Sequence, residues 1–167
     1  MDVNNPVPID RSHDTVSFDC GVAPLNEYLQ KYALVNHQNR SARTYVAIRG
    51  ARVAGYYTLA AGSVSRNEAS PRVAQGLGQY PVPATLLARL AVDLSEKGKG
   101  LGRGLLKDAV LRALQASEIV GSRAILTHAK DEAAKAFYQK FNFVPSPIND
   151  LHLYLLMKDV RAIFGLR

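Results

Sequence analysis

The run Lys97-Gly98-Lys99-Gly100-Leu101-Gly102-Arg103-Gly104 constrains this chain more than any other segment. An apolar stretch, Ala84 to Val92, precedes it. Leu105, Leu106, Ala109, Val110 and Ala113 follow at the spacing of one helical face. The pattern is that of a buried strand, a glycine turn and an amphipathic helix. Glycines let backbone N–H groups approach a ligand closely. The first N–H groups of a helix lack internal acceptors, and the helix dipole adds partial positive charge there. Lys97, Lys99 and Arg103 contribute full charges, so the segment predicts a phosphate or pyrophosphate guest. A Walker loop would place Ser or Thr directly after Gly-Lys, and this run does not. A dinucleotide fingerprint would sit near the start of a βαβ fold, with an acidic residue on the next strand end; here the next strand ends in Thr127-His128. A glycine turn without a ligand is the alternative reading of the same residues.

The remaining pattern supplies a sheet around this unit. A short extended segment is expected at Val16 to Phe18. Pro24 suits the first turn of a helix carrying Leu25, Leu29, Tyr32 and Val35 and ending near Asn39. Thr44 to Ile48 and Val53 to Leu59 read as strands joined by a hairpin turn at Gly50-Ala51. Ser63 to Pro83 reads as a loop with one helical turn. Ala124 to Thr127 is another apolar strand, and Asp131 is placed to cap a helix reaching Lys140. Pro145-Ser146-Pro147 breaks the chain before a strand at Leu151 to Met157 and a short closing helix. A strand–helix–strand crossover after antiparallel strands predicts an α/β fold with a mixed sheet. With no repeat or linker, residues 1–167 read as a single domain.

Composition narrows the class. Hydrophobic residues at 47% and charged residues at 21% fit a folded chain rather than a disordered one. No apolar run approaches the roughly 18–20 residues that span a bilayer, so no membrane association is expected. The start, Met1-Asp2-Val3-Asn4-Asn5, lacks a signal-peptide pattern, and Cys20 has no second cysteine to pair with. These features point to the cytoplasm. The net charge of +7 favours polyanionic partners. His13, His37, His128 and His152 show no ligand spacing, so no metal site is expected. Cys20 reads as a buried thiol, His128 as a polar strand end, and Asp93 as a loop cap or a base. Arg89, Lys31, Arg40, Arg43 and Arg72 are candidates for a polyanion surface. Arg89 stands out because it interrupts an apolar strand.

Two segments carry a family resemblance. Leu87-Ala88-Arg89-Leu90-Ala91-Val92-Asp93, the glycine run and Leu105-Leu106 resemble the acetyl-CoA motif of GNAT N-acetyltransferases, with Lys97 where the family has Gln or Arg. Ala136-Phe137-Tyr138-Gln139-Lys140-Phe141-Asn142-Phe143 resembles a second family segment, with Asn142 in place of Gly. Asn tolerates the left-handed conformation of a helix C-cap. The resemblance implies a GNAT domain with a splayed central strand and a βαβ half that binds acetyl-CoA. It implies that Leu90, Ala91 and Val92 hold the pantetheine, and that Lys97, Gly98, Lys99, Gly100, Leu101, Gly102 and Arg103 hold the pyrophosphate, with Phe137 nearby. It also implies that Tyr138 protonates the departing thiolate while the Val92 N–H faces the oxyanion.

Phe18-Asp19-Cys20-Gly21, Leu25-Asn26-Glu27-Tyr28-Leu29 and Arg43-Thr44-Tyr45-Val46-Ala47, together with the strand before the glycine run, resemble the TacT-like GNAT toxins of type II toxin–antitoxin modules. That implies acetylation of the α-amine of aminoacyl-tRNA and arrest of translation. It also implies a homodimer, a ribbon-helix-helix antitoxin, and operator DNA bound only as the toxin–antitoxin complex, which represses transcription. The other readings of these residues are a GNAT enzyme for a small amine or protein amine, and a non-catalytic CoA- or nucleic-acid-binding module.

Overall fold

The structure is a computed structural model and describes residues 2–76 and 81–163. It comprises two compact units: Met1–Ala60 with Ala88–Ala109, and Ala61–Leu87 with Val110–Arg167. Strands β3 (Arg52–Val64) and β4 (Val82–Val92) and helix α4 (Leu101–Ser117) each begin in one unit and end in the other.

The first unit has the strand order β1-β2-β3-β4, where β1 is Val7–Pro8 and β2 is Arg43–Arg49. β1 and β3 both pair antiparallel to β2. The β2–β3 turn falls at Gly50, whose φ of 66° suits a residue without a Cβ. Inside the hairpin Thr44 faces Thr58, and their buried hydroxyls hydrogen-bond at 2.8 Å. The expected strand at Val16 to Phe18 does not form. The Asp14 carboxylate accepts the N–H groups of Val16 and Ser17, which bends this segment into a turn.

The first helix starts with Pro24 in its first turn, as expected, and runs as α1 (Ala23–Glu27), a π-helical turn (Tyr28–Tyr32) and α2 (Ala33–Asn39). Arg40 ends it in the left-handed conformation, with φ of 64°. The π turn changes which residues are buried. Leu29, Ala33 and His37 face the core, whereas Tyr32 and Val35 are exposed, contrary to the 3.6-residue reading. The core of this unit gathers Phe18, Leu29, Val46, Val53, Tyr56 and Ala91.

The second unit has the strand order β3-β4-β5-β7-β6. β5 is Ala124–His128, β6 is Val144–Pro145 and β7 is His152–Leu156. β4 and β5 are parallel and are joined through α4, as the crossover pattern requires; β5–β7 and β6–β7 are antiparallel. The sheet is therefore mixed. The β4–β5 register covers Ala84–Leu87 against Ala124–Thr127, and β4 continues beyond it to Val92.

Asp131 caps α5 (Glu132–Gln139), accepting the Ala134 N–H at 2.8 Å. Asn142 follows with φ of 70°, the left-handed value its place in the sequence anticipates. The expected loop at Ser63 to Pro83 is shorter at both ends, because β3 runs through Val64 and β4 starts at Val82. It contains one helical turn, α3 (Pro71–Ala74), capped by Ser70, while residues 77–80 lie outside those described. Pro145 belongs to a short edge strand, where its missing N–H costs no ladder bond. The last strand ends at Leu156 because Met157 opens α6 (Met157–Ile163).

Candidate active site

The glycine loop opens where β4 ends. Asp93 accepts the Ser95 N–H at 3.0 Å and caps a 3-10 turn over Leu94–Glu96. Gly98 and Gly100 then adopt φ of 78° and 83°, which ordinary L-residues rarely adopt. α4 begins at Leu101, with the Gly104 N–H donating to the Gly100 carbonyl. The N–H groups before Gly104 therefore have no intrahelical acceptor. A cleft of about 310 Å³ lies at this end of the helix, lined in part by Asn4, Asn5, Arg49, Lys99, Gly100 and Gly104.

An ion-pair network absent from the sequence reading holds the loop. Glu96 is only 3% exposed and accepts a two-pronged bond from Arg49, at 2.7 and 3.0 Å. Arg52 reaches Glu96 at 3.5 Å and Asp93 at 3.3 Å, and Lys99 lies 3.6 Å from Glu96. The Arg49 bond is the main reason the Glu96 carboxyl is held below its usual range. Burial alone would raise the Asp93 carboxyl. Bonds from Asp19 and Ser95 outweigh that and keep it ionised at neutral pH. Asp93 thus caps the turn, one of the two roles its position suggested.

On the other flank Lys97 Nζ donates to the Cys20 carbonyl at 3.1 Å, and the Leu94 N–H donates to the Asp19 carbonyl. The loop is therefore tied to the Asp19–Gly21 turn and to the β2–β3 hairpin. Those partners stand more than 40 residues away in sequence, so no local pattern announces them. All three loop cations, Lys97, Lys99 and Arg103, are exposed. Cys20 is buried, with its thiol 3.6 Å from the Val22 carbonyl.

Arg89, Leu90, Ala91 and Val92 all lie on the part of β4 beyond the β5 register. Ala91 is buried, and the other three are half-buried. The Arg89 guanidinium sits 3.6 Å above the Tyr28 ring. The other basic candidates differ in their engagement. Lys31 pairs with Glu27 at 3.4 Å, and Arg43 donates to the His37 carbonyl at 2.8 Å. Arg72 makes a two-pronged bond to Asp159, at 2.5 and 2.7 Å.

In the second unit Tyr138 is buried on α5, packed between Phe137 and Phe143 with ring centroids 5.3 and 5.5 Å away. Burial pushes its phenol above the ordinary tyrosine value, opposed by the adjacent Thr127 hydroxyl. Thr127 itself donates to the Leu87 carbonyl at 3.0 Å, at the last paired position of β4 and β5. A phenol in this setting stays protonated through neutral pH and can act as an acid. His128, at the end of β5, stacks on His152 with centroids 3.8 Å apart.

One unit carries the end of β4 and a glycine loop at a helix N-terminus; the other carries the parallel β4–β5 pairing and a buried tyrosine. The sequence signature of the acetyltransferase (GNAT) domain matches residues 40–145. The chain belongs to the GNAT acetyltransferase family. It is 48% identical to the tRNA-acetylating toxin of Mycobacterium tuberculosis over 160 residues, 96% of either chain. The structure of AtaT complexed with acetyl-methionyl-tRNAfMet superposes with a TM-score of 0.89 at 29% identity, covering 98% of this chain and 99% of that one. A tyrosine-to-phenylalanine mutant of AtaT, bound to the C-terminus of the antitoxin AtaR and acetyl-CoA, gives a TM-score of 0.83 at 28% identity over 99% of both chains. Among the described residues of this GNAT chain, no helix is long and apolar enough to cross a membrane.

Proposed function

We propose that this chain is an acetyl-CoA-dependent N-acetyltransferase toxin that acetylates the α-amine of aminoacyl-tRNA and thereby inhibits translation. The near full-length likeness to the mycobacterial tRNA-acetylating toxin carries this reading. Acetyl-CoA supplies the acetyl group. The unpaired N–H groups around Gly100 to Arg103, with Lys99, suit its pyrophosphate, and the main chain of Leu90 to Val92 suits its pantetheine arm. The Val92 N–H faces the oxyanion, and Phe137 packs beside the thiol end. The amine nitrogen bonds to the acetyl carbon as the carbon–sulfur bond breaks. Tyr138 gives its phenolic proton to the departing thiolate, the amine's surplus proton passes to solvent, and the phenolate takes a proton back from solvent.

Arg89, with Arg40 and Arg43, faces the tRNA in this reading. Lys31 and Arg72 are weaker candidates because carboxylates hold them. Residues 1–167 act as one catalytic domain in the cytoplasm. The toxin forms a homodimer, a ribbon-helix-helix antitoxin neutralises it, and the pair binds operator DNA as a complex.

Purified protein given labelled acetyl-CoA and charged tRNA tests the central claim. Label is expected on the aminoacyl group, and its absence there overturns the reading. Tyr138→Phe is expected to bind acetyl-CoA normally and to lose about 10²-fold or more in turnover, the lower end of what a positioned acid contributes. Unchanged turnover would remove Tyr138 from the mechanism.

A further inference from the structure

The π-helical turn Tyr28–Tyr32 is a rare element, and such turns concentrate at functional sites. It brings Tyr28 and Tyr32 onto one face, with ring centroids 6.4 Å apart and planes tilted by 31°. Tyr28 is 6% exposed, and its hydroxyl accepts from Asn36 Nδ2 at 3.3 Å. Tyr32 is 52% exposed, a large aromatic surface left open beside a buried ring. Arg89 lies across the other ring, its guanidinium carbon 3.6 Å from the Tyr28 centroid.

Arg89 differs from the well-paired arginines of this chain. Arg49, Arg52 and Arg72 all rest on carboxylates. Among the described residues no carboxylate lies within ion-pair distance of Arg89, and no hydrogen bond satisfies its guanidinium. The Tyr28 ring engages only the face of the guanidinium. Its N–H edges remain for a ligand, because a ring offers a guanidinium no hydrogen-bond acceptor along those edges. Arg89 is half-buried, so those donors stay open to solvent and to a ligand oxygen.

An exposed aromatic ring beside an aromatic-backed guanidinium is the chemistry that recognises unpaired nucleotides, with a base stacked on the ring and a phosphate on the guanidinium edge. The geometry points to Tyr32, Tyr28 and Arg89 forming a subsite for the unpaired nucleotides at the aminoacylated end of the tRNA. Tyr32 stacks a base and Arg89 holds a phosphate. Tyr28 is the positioning residue that keeps the guanidinium flat and forward. The subsite rests on the tRNA reading above, and it adds two tyrosines that no charge argument identifies. The chain's charge of +7 favours the same partner.

The test measures KM for charged tRNA and for acetyl-CoA in the wild type, Y32A, R89Q, Y28L and Y28F, with circular dichroism to confirm folding. Y32A, R89Q and Y28L are expected to raise KM for charged tRNA about ten-fold, within the range for loss of one stacked base or one phosphate contact. KM for acetyl-CoA should hold. Y28F keeps the ring and should rescue the Y28L defect, which separates holding Arg89 from merely filling space. In parallel, fluorescence anisotropy with a short single-stranded RNA of the acceptor-end sequence should show weaker binding by Y32A than by the wild type.

If the wild type transfers no label to charged tRNA, the functional reading fails, and the RNA titration still decides whether the tyrosines bind nucleotides. If the wild type is active but Y32A and Y28L match it in tRNA KM and RNA binding, the subsite is overturned. A loss confined to antitoxin affinity in those variants would assign the surface to a protein partner and overturn it equally.

Discussion

Gly55 shows how a single residue can set how closely one strand packs against its neighbours. A Cβ there would lie 2.9 Å from Leu105 Cδ1, 3.1 Å from the Ala91 carbonyl oxygen and 3.2 Å from Leu101 Cδ2. The leucine tips can shift, but the Ala91 oxygen belongs to the β4 backbone and moves only with its strand. Gly55→Ala is therefore expected to destabilise the protein by about 1–3 kcal/mol, the usual cost of overpacking. It should also weaken acetyl-CoA binding, because Ala91 lies within the proposed pantetheine strand. Chemical denaturation and acetyl-CoA titration of the variant check both effects; wild-type stability would show that β3 and β4 accommodate the methyl. The sequence gives no warning of this, since Gly55 looks like any glycine in a strand. Asn142 is the opposite case. Its left-handed φ is legible because it stands where a helix C-cap needs a glycine-like residue.

Among the elements, strands and caps were the most legible, because their signals are local. Asp131 and Pro24 mark helix starts by their own chemistry, and the β2–β3 hairpin follows from two β-branched runs around Gly50. The π turn was hidden. A 3.6-residue count from Leu25 and Leu29 points to Tyr32 and Val35, and nothing in the residues reveals the wider turn that puts Ala33 and His37 inside instead. That shift has a consequence at His37. Its Nδ1 accepts the Thr44 N–H at 3.0 Å, and burial, then Arg43, lowers its pKa from the ordinary 6.5. The folded protein thus prefers neutral His37, while the unfolded chain takes up a proton near pH 6.5. The stabilisation is fully present above that pH and is lost as pH falls towards the lower folded value. The denaturation midpoint is expected to fall between about pH 7 and 5. His37→Asn, which keeps an acceptor but does not titrate there, should flatten the decline in that window. The same slope in both proteins would remove His37 as its source.

Over the whole molecule, the glycine turn before α4 and the helix bearing Tyr138 were legible as elements, but the network that steadies the loop was not. Arg49 and Glu96 are 47 residues apart, and only folding brings them together. The same holds for charge. A net +7 suggests a polyanion partner, yet sequence cannot tell which cations are already neutralised. The structure sorts them: Arg49, Arg52 and Arg72 sit on carboxylates, whereas Arg89 does not. If Arg89, Arg40 and Arg43 each neutralise a phosphate, binding releases counterions in proportion. The log–log slope of tRNA affinity against salt should then be about −2, taking roughly −0.7 per single-strand phosphate. Raising salt from about 50 to 200 mM would weaken tRNA binding roughly twenty-fold. Arg40→Gln should make the slope shallower by about one such increment, while Arg72→Gln should leave it in place because Asp159 already occupies that guanidinium. Filter binding of charged tRNA across a salt series reads all three slopes. A slope near zero for the wild type would detach the basic surface from tRNA, and a shallower slope in Arg72→Gln would show that its ion pair opens when tRNA binds.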